Sequence, residues 1–284
     1  MINEFSHLNE KKILVTGSNG FVGRHLIKKL KELNLDFTEF KGDILKGISE
    51  KEDYDLIFHL AANVPQNVSN DENYKVNVEG TKSVLEFCKK KNAKLIYTST
   101  IGVYGNVEGI ITEDNLVSPP NSNHYVFSKF QGEQACKEYS EKYDVNYCIL
   151  RISTVYGPEQ GGEYLISTLT RALNEDKMAK LRDKDAFRDF LYVNDLVNAL
   201  LSSTKIDNCV IDIASGKTYS VAEIVELVEE ISEKNLRVQY SKLNNHEIKG
   251  FEINIDLAKN LIDWSPKISI EEGIKRILIH EHLI

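Results

Sequence analysis

Thr100, Tyr125 and Lys129 are the side chains of this sequence best suited to moving a proton. Tyr125 and Lys129 stand four apart in a segment that reads as a helix, Tyr125 to Tyr143, so they share one face. A free phenol titrates at about 10 and is a poor base at neutral pH. A neighbouring ammonium favours the phenolate and draws that value down. The tyrosine can then exchange a proton with a substrate hydroxyl or carbonyl. Thr100 follows an apolar run, Lys94 to Thr98, that reads as a strand, and its hydroxyl can hold the same oxygen. Tyr-x-x-x-Lys alone also describes an exposed helix face. The pair gains its meaning from what lies upstream.

Upstream, residues 11–23 read K-K-I-L-V-T-G-S-N-G-F-V-G. Ile13, Leu14 and Val15 are a buried-strand run. Gly17, Gly20 and Gly23 follow at three-residue spacing, then an amphipathic segment from Phe21 to Leu33 with Val22, Leu26, Ile27, Leu30 and Leu33 on one face. Strand, glycine turn and helix begin a dinucleotide-binding βαβ unit. Gly17 permits the tight turn, Gly20 lets backbone approach a pyrophosphate, and Gly23 lets helix pack on strand. The helix start offers unpaired N–H groups to the phosphates. An oxidised nicotinamide bound there adds a second positive charge beside Tyr125.

Strand-like and helix-like runs alternate through the first half: strands at Asp36–Phe40, Asp55–Leu60, Lys94–Thr98 and Asn146–Ile152, and a long helix at Asn73–Lys91 with Val76, Gly80, Val84 and Phe87 inward. This alternation predicts a parallel sheet covered by helices, with ligands at the carboxyl ends of the strands. After Gly157-Pro158 the pattern loosens. Helices are predicted at Leu165–Leu173, Val193–Leu201, Val221–Ile231 and Ile270–Ile279, and a helical turn at Leu257–Ile262. Strands are predicted at Cys209–Ile213, Leu236–Tyr240 and Glu252–Ile255, and Asp183–Asp189 reads as a charged loop. The fold class expected is α/β, a Rossmann-type doubly wound parallel sheet with a smaller C-terminal substrate-binding cap. Residues 1–158 form the dinucleotide domain and 159–284 the cap, with a segment near 190–216 packing back on the sheet.

Composition narrows the partners. The 284 residues carry a formal net charge of -8, and no basic tract exceeds Lys89 to Lys91, so nucleic acid is not expected. No apolar run approaches the roughly 18 residues a membrane span needs. The polar, acidic start does not read as a secretory signal. Cys88, Cys136, Cys148 and Cys209 lie far apart and read as small core residues in a reducing, cytoplasmic setting. His59 reads as a packed strand residue, His124 as a loop residue and Trp264 as a core anchor of the cap. No His, Cys or carboxylate cluster has metal-ligand spacing.

In its motifs the chain resembles the extended short-chain dehydrogenase/reductases of the nucleotide-sugar epimerase/dehydratase family. The matching stretches are T-G-S-N-G-F-V-G from Thr16, Gly42-Asp43-Ile44, His59-Leu60-Ala61-Ala62, Asn77-Val78-Glu79-Gly80-Thr81, Ser99-Thr100 with Val103-Tyr104-Gly105, Tyr125-Val126-Phe127-Ser128-Lys129, Arg151 to Pro158, Arg188 to Val193, and Asp263 to Pro266. The resemblance implies a nucleotide-sugar substrate and catalysis by Thr100, Tyr125 and Lys129. It implies cofactor contacts at Gly17, Asn19, Gly20, Phe21, Val22, Asp43, Ile44, Leu60, Ala61, Ala62, Asn77 and Thr98, besides Tyr125 and Lys129. Thr100, Tyr125, Thr154 (where the family usually has Asn) and Arg188 would meet substrate.

Glu39, at the end of the second strand, favours NAD, while Lys41 would accept the extra phosphate of NADP; NAD is preferred, and NADP stays open. Ile101 and Gly102 stand where the family's dehydratases carry Asp-Glu, which argues against dehydration. The family's late arginine is missing between Tyr240 and Phe251, leaving Lys242 or Lys249 as weaker substitutes. An epimerase working through a transient keto-sugar is the leading expectation. A reductase of a nucleotide-linked 4-keto sugar is the alternative, and an inactive dinucleotide sensor a third. The resemblance also implies a homodimer through the Asn73–Lys91 and Tyr125–Tyr143 helices, with Phe87, Phe130 and Tyr139 as contacts.

Overall fold

The computed structural model describes residues 4–49, 51–64, 70–181, 183–241 and 251–284. The apolar run after Lys12 forms β1 (Ile13–Thr16), buried along its whole length. The glycine turn leads into α1 (Phe21–Glu32), and then β2 (Phe37–Glu39). A single 3₁₀ turn, Ile44–Lys46, stands in for a helix before β3 (Leu56–His59). The predicted long helix starts earlier than expected, as α2 (Asn70–Tyr74). It passes through one π turn, Lys75–Glu79, and continues as α3 (Gly80–Lys91). Then come β4 (Lys94–Thr100), a short β5 (Gly109–Ile111), α4 (His124–Tyr143), β6 (Tyr147–Ile152) and β7 (Thr154–Tyr156).

The second half holds α5 (Leu165–Glu175), β8 (Ala179–Leu181), β9 (Phe187–Tyr192), α6 (Val193–Ser202) and β10 (Cys209–Ile213). It ends with β11 (Thr218–Ser220), α7 (Val221–Ser232), β12 (Val238–Tyr240), β13 (Phe251–Ile253), α8 (Asp256–Ile262) and α9 (Ile270–His280).

Six strands form one parallel sheet in the order β10-β6-β4-β3-β1-β2. The chain steps from β1 outward to β2, then returns past β1 to β3 and proceeds the other way. The order therefore reverses between β1 and β3, the place where such sheets open a crevice at their carboxyl ends. Side chains alternate between two apolar layers. Ile13, Val15 and Phe58 meet α1 and α6 residues on one face; Leu14, Ile57 and Tyr97 meet α3 and α4 residues on the other. A separate cluster joins α5, α7 and α9 around Leu169, Ile224 and Ile274. A fourth, with Val103, Val126, Phe251 and Ile253, lies between α4 and the β5–β13 pair.

Three expectations need correction. Asp183–Asp189 is not all loop: its end enters β9, where Asp189 is fully buried. Ser215 N–H and Gly216 N–H, each at 2.8 Å, bond its carboxylate, so the charge that looked like solvated surface is an internal turn anchor. Trp264 does not anchor the cap. It joins the layer that holds α1 and α6, with Ala258 and Ile262, and its Nε1–H donates to the Asp195 carbonyl at 2.9 Å. Phe87 is buried under α3 and has no surface to offer another subunit.

Candidate functional site

At the crevice, Gly17 has φ +71, the left-handed region that side chains resist. A Cβ there would stand 2.6 Å from Leu60 C and Ala61 N, so the turns after β1 and β3 touch backbone to backbone. Thr16 ties them: its Oγ1 accepts from Ala61 N–H at 3.2 Å and lies 2.7 Å from His59 Nδ1. His59 is fully buried between the Thr16 and Thr81 hydroxyls, and burial holds its imidazole down at about 3. It is a neutral packing residue, as its place in the strand suggested.

Gly20 caps α1 in extended conformation, and among the described residues no side-chain cap bonds the first N–H groups. The Ser18 hydroxyl, buried in the same turn, has no hydrogen-bond partner among the described residues. An open helix start, a backbone cradle and an orphaned hydroxyl fit a bound pyrophosphate.

The expected cofactor residues ring this crevice unequally. Asn19 is exposed, and Phe21 and Val22 are half-buried at the start of α1. Leu60, Ala61 and Ala62 are half-buried after β3. Glu39 is half-buried at the end of β2, Lys41 is exposed, and the Asp43 carboxylate caps the 3₁₀ turn by accepting from Leu45 N–H at 3.0 Å. Ile44 is buried under Gly80, where an added Cβ would meet it at 2.8 Å. Thr98 Oγ1 donates to the His59 carbonyl at 3.2 Å.

Asn77 stands in the π turn between α2 and α3. It is buried, and its amide is engaged by the protein: Oδ1 accepts from Asn63 N–H (2.7 Å), and Nδ2 donates to Asn63 O (3.0 Å) and Ser128 Oγ (2.9 Å). It clamps the loop after β3 to α4.

Thr100 is the last residue of β4, and its Oγ1 accepts from Gly102 N–H at 3.2 Å, capping a 3₁₀ turn, Ile101–Tyr104. Asn123 caps α4 through Val126 N–H, which starts the helix just ahead of Tyr125. Tyr125 is half-buried, beside the apolar cluster that also takes Ile101, Phe130 and Phe187. Lys129 is buried, with Nζ 4.2 Å from the centre of the Tyr97 ring. Helix and strand meet closely: Tyr97 OH donates to Lys129 O, and a Cβ on Gly132 would fall 2.0 Å from that hydroxyl.

The charge states run against the simple expectation. Burial, then the nearby Tyr164 phenol, pushes Tyr125 up to about 12, and Lys129 is not among the groups that lower it. Burial draws Lys129 down to about 8, against the pull of Cys136 and Glu133. Desolvation is the largest effect on both groups, and the ammonium rests on Tyr97. In the protein alone Tyr125 is a neutral phenol at pH 7.

Behind this pair lies a buried polar chain that motif spacing did not reveal. Glu133, one helical turn beyond Lys129, accepts from Ser99 Oγ (2.5 Å) and from Arg151 Nε and Nη2 (3.1 and 2.8 Å). Arg151 Nη1 donates to Tyr104 OH (2.8 Å), which donates to Asp212 Oδ2 (2.8 Å). The available signal was an acid four residues past Lys129 on an inward helix face.

Burial, then the charge of Glu113, raises Asp212 from 3.8 to about 7. Below pH 4 both folded and unfolded chains hold this proton. Between about 4 and 7 only the folded chain does, so Asp212 removes stability as pH rises through that window and removes no more above it. Asp212→Asn should therefore be more stable than the parent at pH 8, by about 2–4 kcal/mol, with the gap shrinking by pH 5. Urea unfolding at both pH values reads this. A variant less stable at pH 8 would mean that the ionised carboxylate gains more from Tyr104 and Arg151 than burial costs it.

On the cap side, Thr154 and Arg188 are half-buried on the adjacent parallel strands β7 and β9, with Thr154 opposite Phe190 in register. Lys242 and Lys249 lie outside the described residues. No helix among the described residues is long and apolar enough to cross a membrane.

Comparison with known proteins adds three findings. A model of the NAD dependent epimerase/dehydratase family matches residues 13–210. A Methanocaldococcus jannaschii protein provisionally assigned as a UDP-glucose 4-epimerase is 33% identical over 94% of this chain and 97% of its own, and the UDP-glucuronate 4-epimerase of Thermodesulfobacterium geofontis is 30% identical over 88% and 78%. The crystal structure of a Bacillus cereus UDP-glucuronic acid 4-epimerase, with UDP-glucuronic acid and NAD, superimposes with a TM-score of 0.86 at 28% identity, over 95% of this chain and 99% of that one.

Proposed function

This chain belongs to the NAD dependent epimerase/dehydratase family, and on that premise we propose that it is an NAD-dependent 4-epimerase of a UDP-linked sugar. One observation carries the reading: Thr100, Tyr125 and Lys129 sit on β4 and α4, beside a crevice whose backbone fits a dinucleotide. Gly17, Gly20 and the start of α1 would hold the pyrophosphate, the segment around Glu39 to Ile44 the adenosine, and Leu60 to Ala62 the inner wall. The nicotinamide, when bound, supplies hydride chemistry and a positive charge.

The protein's own groups manage the proton. Tyr125 takes it from the sugar hydroxyl and returns it after the sugar has turned its other face. Thr100 holds the same oxygen. Lys129 contributes positive charge one helical turn from Tyr125. Arg188 faces the diphosphate, and Thr154 the sugar side. Ile101 and Gly102 provide no acid-base pair for removing water, which sets dehydration aside. The protein works as a cytoplasmic homodimer through α3 and α4; a one-chain mass by light scattering would remove the dimer.

Purified protein should carry about one NAD per chain and equilibrate a UDP-sugar with its C4 epimer without consuming added cofactor. UDP-glucose and UDP-glucuronate are the first substrates to offer. Steady oxidation of NAD(P)H with a nucleotide-linked 4-keto sugar, and no epimer formed, would replace this reading with a reductase.

A further inference from the structure

Arg151, Glu133 and Tyr104 form a charged strut whose ends sit beside Thr100 and Lys129, two of the residues assigned to proton transfer. Ser99, which donates to Glu133, immediately precedes Thr100. Glu133 lies one helical turn after Lys129 on α4. Tyr104 closes the 3₁₀ turn that Thr100 opens and caps. Arg151 joins them from β6, giving three hydrogen bonds to the Glu133 carboxylate, at 2.8, 3.1 and 3.3 Å, and one to Tyr104 at 2.8 Å. Its guanidinium also lies 4.9 Å from the centre of the Tyr104 ring. Arg151 is 3% exposed and Glu133 0%.

Such a pair is not explained by stability. Taking both charges from water is expensive, and an apolar pair of similar volume often serves the fold as well or better. A fork of directional bonds does what apolar packing cannot: it fixes the rotation and height of one element against another. Here the elements are α4, which carries Tyr125 and Lys129, and β4, which carries Thr100. These must converge on one oxygen, and a misplacement of about 1 Å can lower turnover on the order of 100-fold.

The geometry points to Arg151 as a positioning residue which, through Glu133 and Tyr104, sets the spacing between Thr100 and the Tyr125–Lys129 pair. This rests on the epimerase reading for the roles of those three residues. It adds a residue that touches neither cofactor nor substrate.

The test removes both charges together, as Arg151→Met with Glu133→Gln, so that neither is stranded. The double variant should fold, retain NAD and keep its KM for the UDP-sugar within about twofold, while kcat falls about 10- to 100-fold. Unchanged kcat, with or without a lower melting temperature, would reduce the strut to ordinary packing and overturn the proposal. If the double variant does not fold, Tyr104→Phe decides, since it cuts one link and keeps the ion pair. A fall in kcat of about fivefold at constant KM supports the proposal, and unchanged kinetics overturn it.

If the parent protein turns over no UDP-sugar, the functional reading has failed by itself. Crystal structures of the parent and Tyr104→Phe then judge the strut alone. A shift of α4 against Thr100 beyond about 0.5 Å supports it, and superposable sites sink it.

Discussion

Tyr125→Phe should lower turnover by about 1000-fold while leaving the fold and NAD content intact, because general acid–base catalysis contributes on the order of 100- to 10,000-fold. The substitution removes one oxygen from a half-buried ring and keeps the ring against the cluster that includes Val126 and Phe130. Among the described residues no hydrogen bond is made by the Tyr125 hydroxyl, so the fold has nothing to lose with it. The size of the effect follows from the charge state. With burial pushing the phenol up to about 12, very little phenolate exists at pH 7, and the positive charge that favours it must be completed by the bound cofactor. The parent's rate should therefore climb with pH on its acid limb, and that limb should vanish in Tyr125→Phe. Steady-state kinetics from pH 6 to 10 on protein with confirmed NAD content measure both. Parent-like turnover in Tyr125→Phe would strip the tyrosine of its role in proton transfer.

The second large effect is expected at Gly23. A Cβ there would stand 2.1 Å from Gly17 O and 2.8 Å from Ser18 Cα, and both obstacles are backbone. Neither can rotate away, so Gly23→Ala must push α1 off the turn. Alanine is the better helix former by about 1 kcal/mol, yet overpacking of this kind costs about 1–3 kcal/mol, and the displaced helix start loses its aim at the phosphates. NAD affinity should fall by about 100-fold or more, and the melting temperature by a few degrees. Gly161→Ala is the control: nothing lies within 4 Å of its added Cβ, and both quantities should stay put. Calorimetric titration with NAD and a thermal melt of each variant are sufficient. Undiminished NAD affinity in Gly23→Ala would mean that the cofactor does not rest on this helix start.

What could be read from the chain and what could not divide along sequence distance. The βαβ start was legible because strand, glycines and helix are consecutive and each constrains the next. Tyr125 and Lys129 were legible because a helix turns four residues into one face. Arg151 and Glu133 are 18 residues apart, and Tyr104 and Asp212 are 108 apart. No local periodicity brings such pairs together; only the order of the sheet does. The same cause hid the role of Trp264, whose motif lies in the cap's half of the chain although its ring joins the other core. β9 was disguised by its own composition, since the arginine and aspartate at its start look like surface until Ser215 and Gly216 are seen to receive the acid. The direction of the Tyr125 shift was misjudged for a physical reason. Spacing shows that two groups are neighbours but not how much water they have lost, and desolvation here is the larger effect.

The end of the sheet at β2 bears on how the chain avoids sticking to its own kind. β2 is the outer strand of the sheet, only three residues long, with Thr38 exposed and the charged Asp36 and Lys41 on either side. An open edge is a template on which a second chain can add a strand, and the hazard grows with its length and flatness. So brief an edge presents few free N–H and C=O groups, and its flanking charges would be stranded in any strand added there. The sheet thus ends in an edge poorly suited to fibre growth. Lengthening β2 with apolar residues would turn the same edge into a seed for aggregation.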